Sequence, residues 1–360
     1  MRSINSIAGS LWRNKAYLCP FSNKIGYIGW LGFDNLGDEA LYLMYQKMFS
    51  PDKVLPWKYT DKIKKYEEII RRRFFSAVQL GGGTLINVGG APLEAFRLAQ
   101  DLDIPTFVFG AGVKNPEFWT EKVGDKCYLS EWVPLLEHSF FVGVRGPLSK
   151  KILEKEGFQS AQIVGDPVLS FGRKKIFRKL RNKRVVINFG ITGNKQWSDD
   201  ITVKDFIIKL SNAMFERGWE VIYLPVWGKD VAFVEKAARV NPKAKVFYEY
   251  RNIDRVLELF ESADLCIGEK LHSVVFAMCA HTPSIMLEYR PKCLDFMMSM
   301  GMQDFNVRTD RLSLDHVLHL VDRLWSDLPG YQDKIAERVS EYKKLQKETA
   351  IQIKERIHRQ

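Results

Sequence analysis

Short β-branched or aromatic runs alternate with amphipathic stretches almost from end to end of this chain, and the alternation breaks once before starting again. In the first half, KIGYIGW (24–30), KVLPW (53–57), SAVQL (76–80), TFVFG (106–110), FFVGVR (140–145) and AQIVG (161–165) read as strands with helical patterns between them. In the second half, RVVINFG (184–190), WEVIYLPV (219–226), KVFYEY (245–250), DLCIG (264–268) and PSIMLEY (283–289) do the same. Helices are expected there near 203–217, 229–240, 252–262, 270–280 and 291–300. Strand–helix alternation of this kind predicts a parallel sheet covered by helices on both faces. The break predicts two of them: an N-terminal Rossmann-like α/β domain over 22–171 and a C-terminal one over 184–310, in tandem. A chain of 360 residues is long enough for two such cores. After residue 310 the strands stop. Ile335, Val339, Tyr342, Ile353 and Ile357 mark one stripe of a long helix in the segment 311–360, which needs a surface to lie on and is expected to return across the domain junction.

Charge raises the question of partners. The net charge is +11, and its densest contribution is GRKKIFRKLRNKR (172–184) between the two domains. No zinc finger, aromatic RNA-binding signature or other nucleic-acid module surrounds it, so nucleic acid is not the expected partner. A plain basic linker is the ordinary reading. Contact with an anionic membrane or a lipid-linked phosphate is the sharper one. The N-terminal stretch MRSINSIAGSLWRNKAYLC has no apolar core and no small-residue cleavage site, and no later run approaches a membrane span, so a cytoplasmic place is expected, with peripheral contact at the inner membrane face as its sharper form. Cys19, Cys127, Cys266, Cys279 and Cys293 form no CxxC pair and read as free buried thiols. No cluster resembles a metal site, and neither metal nor cofactor is expected.

In open parallel sheets ligands bind beyond the carboxyl ends of the strands, and four motifs fall there. GWLGFDNLGDEALYLMY (29–45) runs from a strand through glycines into a helix. It matches neither GxGxxG nor a phosphate loop. Its Asp38 reads as a helix cap or, with Asn35, as a contact to a hydroxylated substrate. QLGGGTLIN (79–87) puts Gly82 and Gly83 after a buried strand, as a packing turn or a close approach to a ligand. VGVRGPLSKKIL (142–153) ends a strand on Arg145, whose fork suits a carboxylate or phosphate, or a structural ion pair. GEKLHSVVFAMCAHTPSI (268–285) crowds Lys270 and His272 at the mouth of an apolar helix, where exposed N–H groups favour an anion. There the ordinary reading is a structural histidine, with Glu269 as partner of Lys270.

Taken in order, DNLGDEA, LGGGTLI, VRGPLSKKILEKEG followed by VGDPVL, and EKLHSVVFAMCAHTPSIMLEYRPKCLDFMMSMG resemble the polysaccharide pyruvyl transferase family over roughly residues 24 to 305. The resemblance implies a fold similar to the two-domain type B glycosyltransferases. It also implies a donor, phosphoenolpyruvate, whose pyruvyl group becomes a ketal on a saccharide acceptor of a capsule, exopolysaccharide or cell-wall polymer, free or lipid-linked. The family's donor site is expected to use the arginine of the VRG segment, here Arg145, and the histidine of an arginine-leucine-histidine motif, here His272. Lys270, Leu271 and Ser273 beside them are further donor candidates, and His272 is the favoured acid/base because histidine alone titrates near neutrality, at about 6.5. Lys270 stands where the family's motif usually has arginine, which keeps the charge and loses the fork. Asn35, Asp38, Gly82, Gly83 and Glu288 are the candidates for the acceptor side or an alternative base. A glycosyltransferase with a nucleotide-sugar donor, Glu288 touching its ribose, or a non-catalytic anion or glycan binder would use the same cleft.

Overall fold

The β-branched runs are almost wholly buried, as strands covered on both faces must be. The computed structural model describes residues 23–57, 74–174 and 182–359. The N-terminal stretch, Cys19, the interval 58–73 and residues 175–181 of the basic stretch lie outside the described residues.

The first half contains β1 (Lys24–Ile28), α1 (Leu36–Met48), β2 (Lys53–Pro56), β3 (Ala77–Leu80), β4 (Gly83–Ile86), α2 (Ala91–Asp101), β5 (Thr106–Val113), α3 (Leu129–Glu137), β6 (Phe141–Val144), α4 (Pro147–Lys155) and β7 (Gln162–Ile163). Its strands pair in the order β2-β1-β3-β5-β6-β7, with β4 also on β5, and these neighbours run parallel. The second half contains β8 (Arg184–Asn188), α5 (Asp200–Glu216), β9 (Glu220–Tyr223), α6 (Val231–Val240), β10 (Lys245–Val246), α7 (Ile253–Glu261), β11 (Leu265–Gly268), α8 (Leu271–Cys279), β12 (Ser284–Glu288), α9 (Lys292–Ser299) and β13 (Asn306–Arg308). Its parallel order is β10-β9-β8-β11-β12-β13, the doubly wound arrangement whose strand order reverses between β8 and β11. The first sheet reverses between β1 and β3. The site lies beyond these two switch points.

Four expectations are corrected. The GGGTLIN turn leads straight into β4, because β5 runs on to Val113 and offers Thr84 and Ile86 an edge. NVR forms the sixth strand, β13, too short to give a period of its own. KVFYEY pairs only through Lys245 and Val246, and its later residues leave the sheet to meet the other half of the molecule. Among the cysteines, Cys266, Cys279 and Cys293 are buried thiols, but Cys127 is exposed.

Two helices close the chain, α10 (Leu314–Ser326) and α11 (Leu328–His358). Ile335, Val339, Tyr342, Ile353 and Ile357 are all buried. The long helix returns to the first half: Gln346 Nε2 donates to Val164 O at 3.0 Å and Asp166 O at 2.9 Å, and His358 Nε2 lies 2.9 Å from Asp52 Oδ2. One apolar cluster runs from β1 and α1 through Val164, Val168 and Leu169 into the second sheet, so the halves share packing. No described helix is long and apolar enough to cross a membrane.

Two polar joints hold the cleft. Leu36 N donates to Val226 O at 2.9 Å, Asn35 bridges Trp227, and Arg251 grips Asp34 through Nε and Nη2, both at 2.6 Å. On the other side α4 has no side-chain cap of its own. Asp295 supplies one from the second half, accepting from Leu148 N at 2.8 Å, Ser149 N at 3.2 Å and Ser149 Oγ at 2.6 Å. A β-carbon at Gly146 would overlap Asp295, so the joint needs glycine there.

Candidate functional site

A cavity of about 280 Å³ opens between the carboxyl ends of the two sheets. Its walls bring together Asn35, Asp38, Gly83, Arg145, Lys270, Leu271 and His272. Three residues that carry no sequence signal of their own join them: Arg290 and Lys292, which complete the cationic wall, and Tyr289.

Arg145 leaves β6 into the interior and is 1% exposed. Its Nε lies 3.1 Å from Asp166 Oδ2 but without hydrogen-bond alignment, and its Nη2 has no hydrogen-bond partner in the protein. A buried guanidinium with an unused donor is costly unless something anionic completes it. Asp166 is wholly buried and stands at the centre of the arrangement. Its Oδ1 caps the following turn from Val168 N at 3.0 Å, while Oδ2 faces Arg145 on one side and His272 Nε2, 3.7 Å away, on the other. The VGDPVL segment held the signal: an Asp before Pro is a cap.

Lys270 occupies the N-cap of α8, which no side chain caps, whereas Asn35, Asp199, Asn252 and Ser313 cap α1, α5, α7 and α10. The free N–H groups of Leu271 and His272 therefore edge the cavity. Lys270 is not spent on Glu269. Its ammonium donates to Ile191 O at 2.6 Å, and Glu269 is buried, accepts from Gly190 N at 2.8 Å and is pushed up to about 7 by burial. An ammonium has three donors, so two remain.

His272 is largely buried, and its Nε2 has no hydrogen-bond partner. Burial pushes its imidazole down to about 4, with Arg145 and Lys292 acting the same way against the pull of Asp166. The ring is thus neutral near pH 7. A β-carbon at Gly37 would overlap Nδ1, so the GD pair of DNLGDEA lets the ring pack against α1. Asp38 has the opposite shift. Burial holds its carboxyl well above the usual range despite Lys292 and Arg145, while burial and Arg290 hold the Lys292 ammonium below its own.

Several expected site residues are reassigned. Asn35, not Asp38, caps α1, accepting from Gly37 N at 3.0 Å and Asp38 N at 3.3 Å, because the cap precedes the first helical residue. Gly82 faces Leu41, and a side chain there would run into it, so it packs the sheet against α1 while Gly83 lines the cavity. Ser273 is buried and turns its Oγ back to Lys270 O at 2.7 Å, away from the donor position. Glu288 lies outside the cavity, accepting from Trp197 Nε1 at 2.9 Å and Asn306 Nδ2 at 2.5 Å. Among the described residues no three His, Cys, Asp or Glu side chains form a group able to hold a metal ion.

A family model described as polysaccharide pyruvyl transferase matches residues 32–291. No curated protein matches the sequence. Among solved structures, a glycosyltransferase from Rickettsia africae superposes with a TM-score of 0.60 at 10% identity, over 94% of this chain and 99% of its own. A UDP-GlcNAc 2-epimerase from Neisseria meningitidis bound to UDP-GlcNAc gives 0.55 at 12% identity, over 92% and 99%. A trehalose 6-phosphate synthase from Burkholderia multivorans also gives 0.55, at 10% identity, over 94% and 97%. What is common to them and this chain is the two-domain fold of type B glycosyltransferases and these epimerases.

Proposed function

The chain belongs to the polysaccharide pyruvyl transferase family, and from that premise we propose that it moves the pyruvyl group of phosphoenolpyruvate onto two hydroxyls of a saccharide, closing a pyruvate ketal and releasing phosphate. The observation that carries this reading is the buried Arg145 with an unpartnered Nη2 beside an uncapped helix mouth and Lys270. Phosphoenolpyruvate bears a carboxylate and a phosphate on one small frame, and those donors suit both.

Two titratable groups pushed in opposite directions divide the proton work. Asp38, which keeps its proton above the usual carboxyl range, passes it to the methylene carbon and makes C2 electrophilic. A sugar hydroxyl attacks C2 while the neutral His272 takes its proton. Phosphate departs with the electrons of the C2–O bond. The second hydroxyl then closes the ketal, its proton leaves with phosphate, and the proton on His272 returns to Asp38. The test is incubation with phosphoenolpyruvate and a panel of free and lipid-linked saccharides, read by mass spectrometry for a gain of one pyruvate less one water. Binding of uridine diphosphate without this product would favour the nucleotide-sugar reading. Against that reading, its candidate ribose contact Glu288 does not line the cavity and is held by Trp197 and Asn306. Binding of donor or saccharide with no product of either kind would leave a non-catalytic binder.

Lys270 gives the first prediction. As a point charge on the donor, Lys270→Ala should raise the donor KM more than tenfold, about 1.4 kcal/mol, while Lys270→Arg keeps or improves it. An unchanged KM in the alanine variant would limit Lys270 to holding the loop at Ile191.

The basic stretch bears on where the acceptor is met. Three of its described basic residues spend charge on the protein itself: Arg173 pairs with Asp254 and Glu261, Arg184 with Glu220, and Lys183 donates to Arg217 O. Peripheral contact with an anionic membrane therefore falls to the remainder of the run. Co-sedimentation with anionic vesicles that weakens with salt is the expected result, and equal binding to neutral vesicles would remove the idea.

A further inference from the structure

Trp30 and Phe33 are exposed at 54% and 52%, among the largest apolar side chains left in solvent, and they sit together. Their rings stack with centroids 4.5 Å apart and planes 28° apart. The stack uses one face of each ring, and among the described residues about half of each side chain stays open to solvent. Both lie on the loop that follows β1, at the ligand end of the first sheet.

Two observations tie this patch to the cavity. Phe33 O accepts from Trp227 Nε1 at 2.7 Å, and Trp227 lines the cavity. Asn35, two residues beyond Phe33, lines it as well. The loop is also held in place. Gly32 N donates to Glu39 Oε1 at 2.7 Å, and Asp34 is gripped by Arg251 and by Tyr250 Oη at 2.8 Å. Asp34 adopts a left-handed conformation, φ 58°, to make those contacts. Rigid aromatics give large contact area at little cost in conformational freedom.

We propose that Trp30 and Phe33 form a stacking platform for a pyranose ring of the acceptor, next to the residue that receives the ketal. The inference rests on the pyruvyl transfer reading for the acceptor's presence, while its own evidence is the placement of the rings. A sugar ring offers an apolar C–H face to an aromatic plane and hydroxyls at its edge, and polar groups stand close by: Asn35 and Asp38 in the cavity, and Lys229, whose ammonium lies 4.7 Å from the Trp227 ring centre. A wholly apolar partner would find no use for them.

The test measures binding apart from turnover. Saturation-transfer NMR with the methyl glycosides of galactose, glucose, mannose and the N-acetylhexosamines is run on the full chain, on Trp30→Ala/Phe33→Ala and on Trp30→Phe, with phosphoenolpyruvate titrated separately. The expected result is glycoside binding that weakens about tenfold or more in the double alanine variant and is largely kept in Trp30→Phe, with donor affinity and thermal midpoint unchanged. That pattern supports the platform even if phosphoenolpyruvate fails to bind, which would count against pyruvyl transfer alone. Equal glycoside binding by the wild type and the double variant overturns the platform and leaves the transfer reading intact. So does a wild type that binds none of these sugars, or a double variant whose only change is its sedimentation as an oligomer, which would make the patch a self-contact.

Discussion

Arg145→Ala is expected to lower stability by about 3–5 kcal/mol, the cost of leaving a buried charge without its partner, because Asp166 is wholly buried and faces the guanidinium. Denaturant unfolding measures it. Two effects are superposed in that variant, so Arg145→Lys separates them. Lysine keeps a charge for Asp166 but cannot bond donor and Asp166 with one rigid fork. The donor KM of the lysine variant should rise at least tenfold, about 1.4 kcal/mol, at a smaller loss of stability. If stability falls while donor KM stays put, Arg145 is a structural ion pair and the anion binds on α8 alone.

The sequence patterns reached the sheets more fully than the site. Fully buried parallel strands read as apolar runs, so β1, β3, β8 and β11, the strands that flank the two switch points, are legible in the sequence, while the strand order that makes them switch points is not. What strand periodicity does not tell is which neighbour at a strand end turns toward the ligand. Successive side chains leave on opposite faces, so Glu288 goes to Trp197 and Asn306 while Tyr289, one residue on, lines the cavity. The same limit explains His272 and Ser273, adjacent on α8, of which only the first meets the cavity. Asp166 and Lys292 lie inside the family motifs but show no pattern of their own, since Asp166 acts through Arg145 and His272 and Lys292 through Asp38, side chains distant from them in sequence. KVFYEY is cut short as a strand for the same reason: Tyr250 and Arg251 are drawn to Asp34.

His272 carries the last and largest expected effect. As the base it should be needed only when a hydroxyl attacks, so His272→Ala is expected to lose roughly 10²–10⁴-fold in kcat, with donor binding largely kept. His272→Gln can hydrogen-bond but not take a proton, and should be nearly as poor. Asp38→Asn, which removes the acid, should fall in the same range and lose the decline of kcat/KM at high pH that deprotonation of Asp38 imposes. The protonation state is open to direct measurement. The ring resonance that disappears in His272→Gln should titrate near pH 4 and stay neutral through 6.5, where an unfolded histidine takes its proton. Folding stability carries the same sign. Between about 6.5 and about 4 the unfolded chain binds a proton that the folded chain refuses, so this contribution is complete above 6.5 and is lost as pH falls toward 4. The raised Asp38 works in the opposite sense over the acid range, so the difference between wild type and His272→Gln is the quantity to follow. A resonance titrating near 6.5 would mean that the ring is solvated and free to act as an acid. Near-normal kcat in the glutamine variant would make it a phosphate ligand, and the hydroxyl proton would then have to leave by way of Asp38 and Lys292.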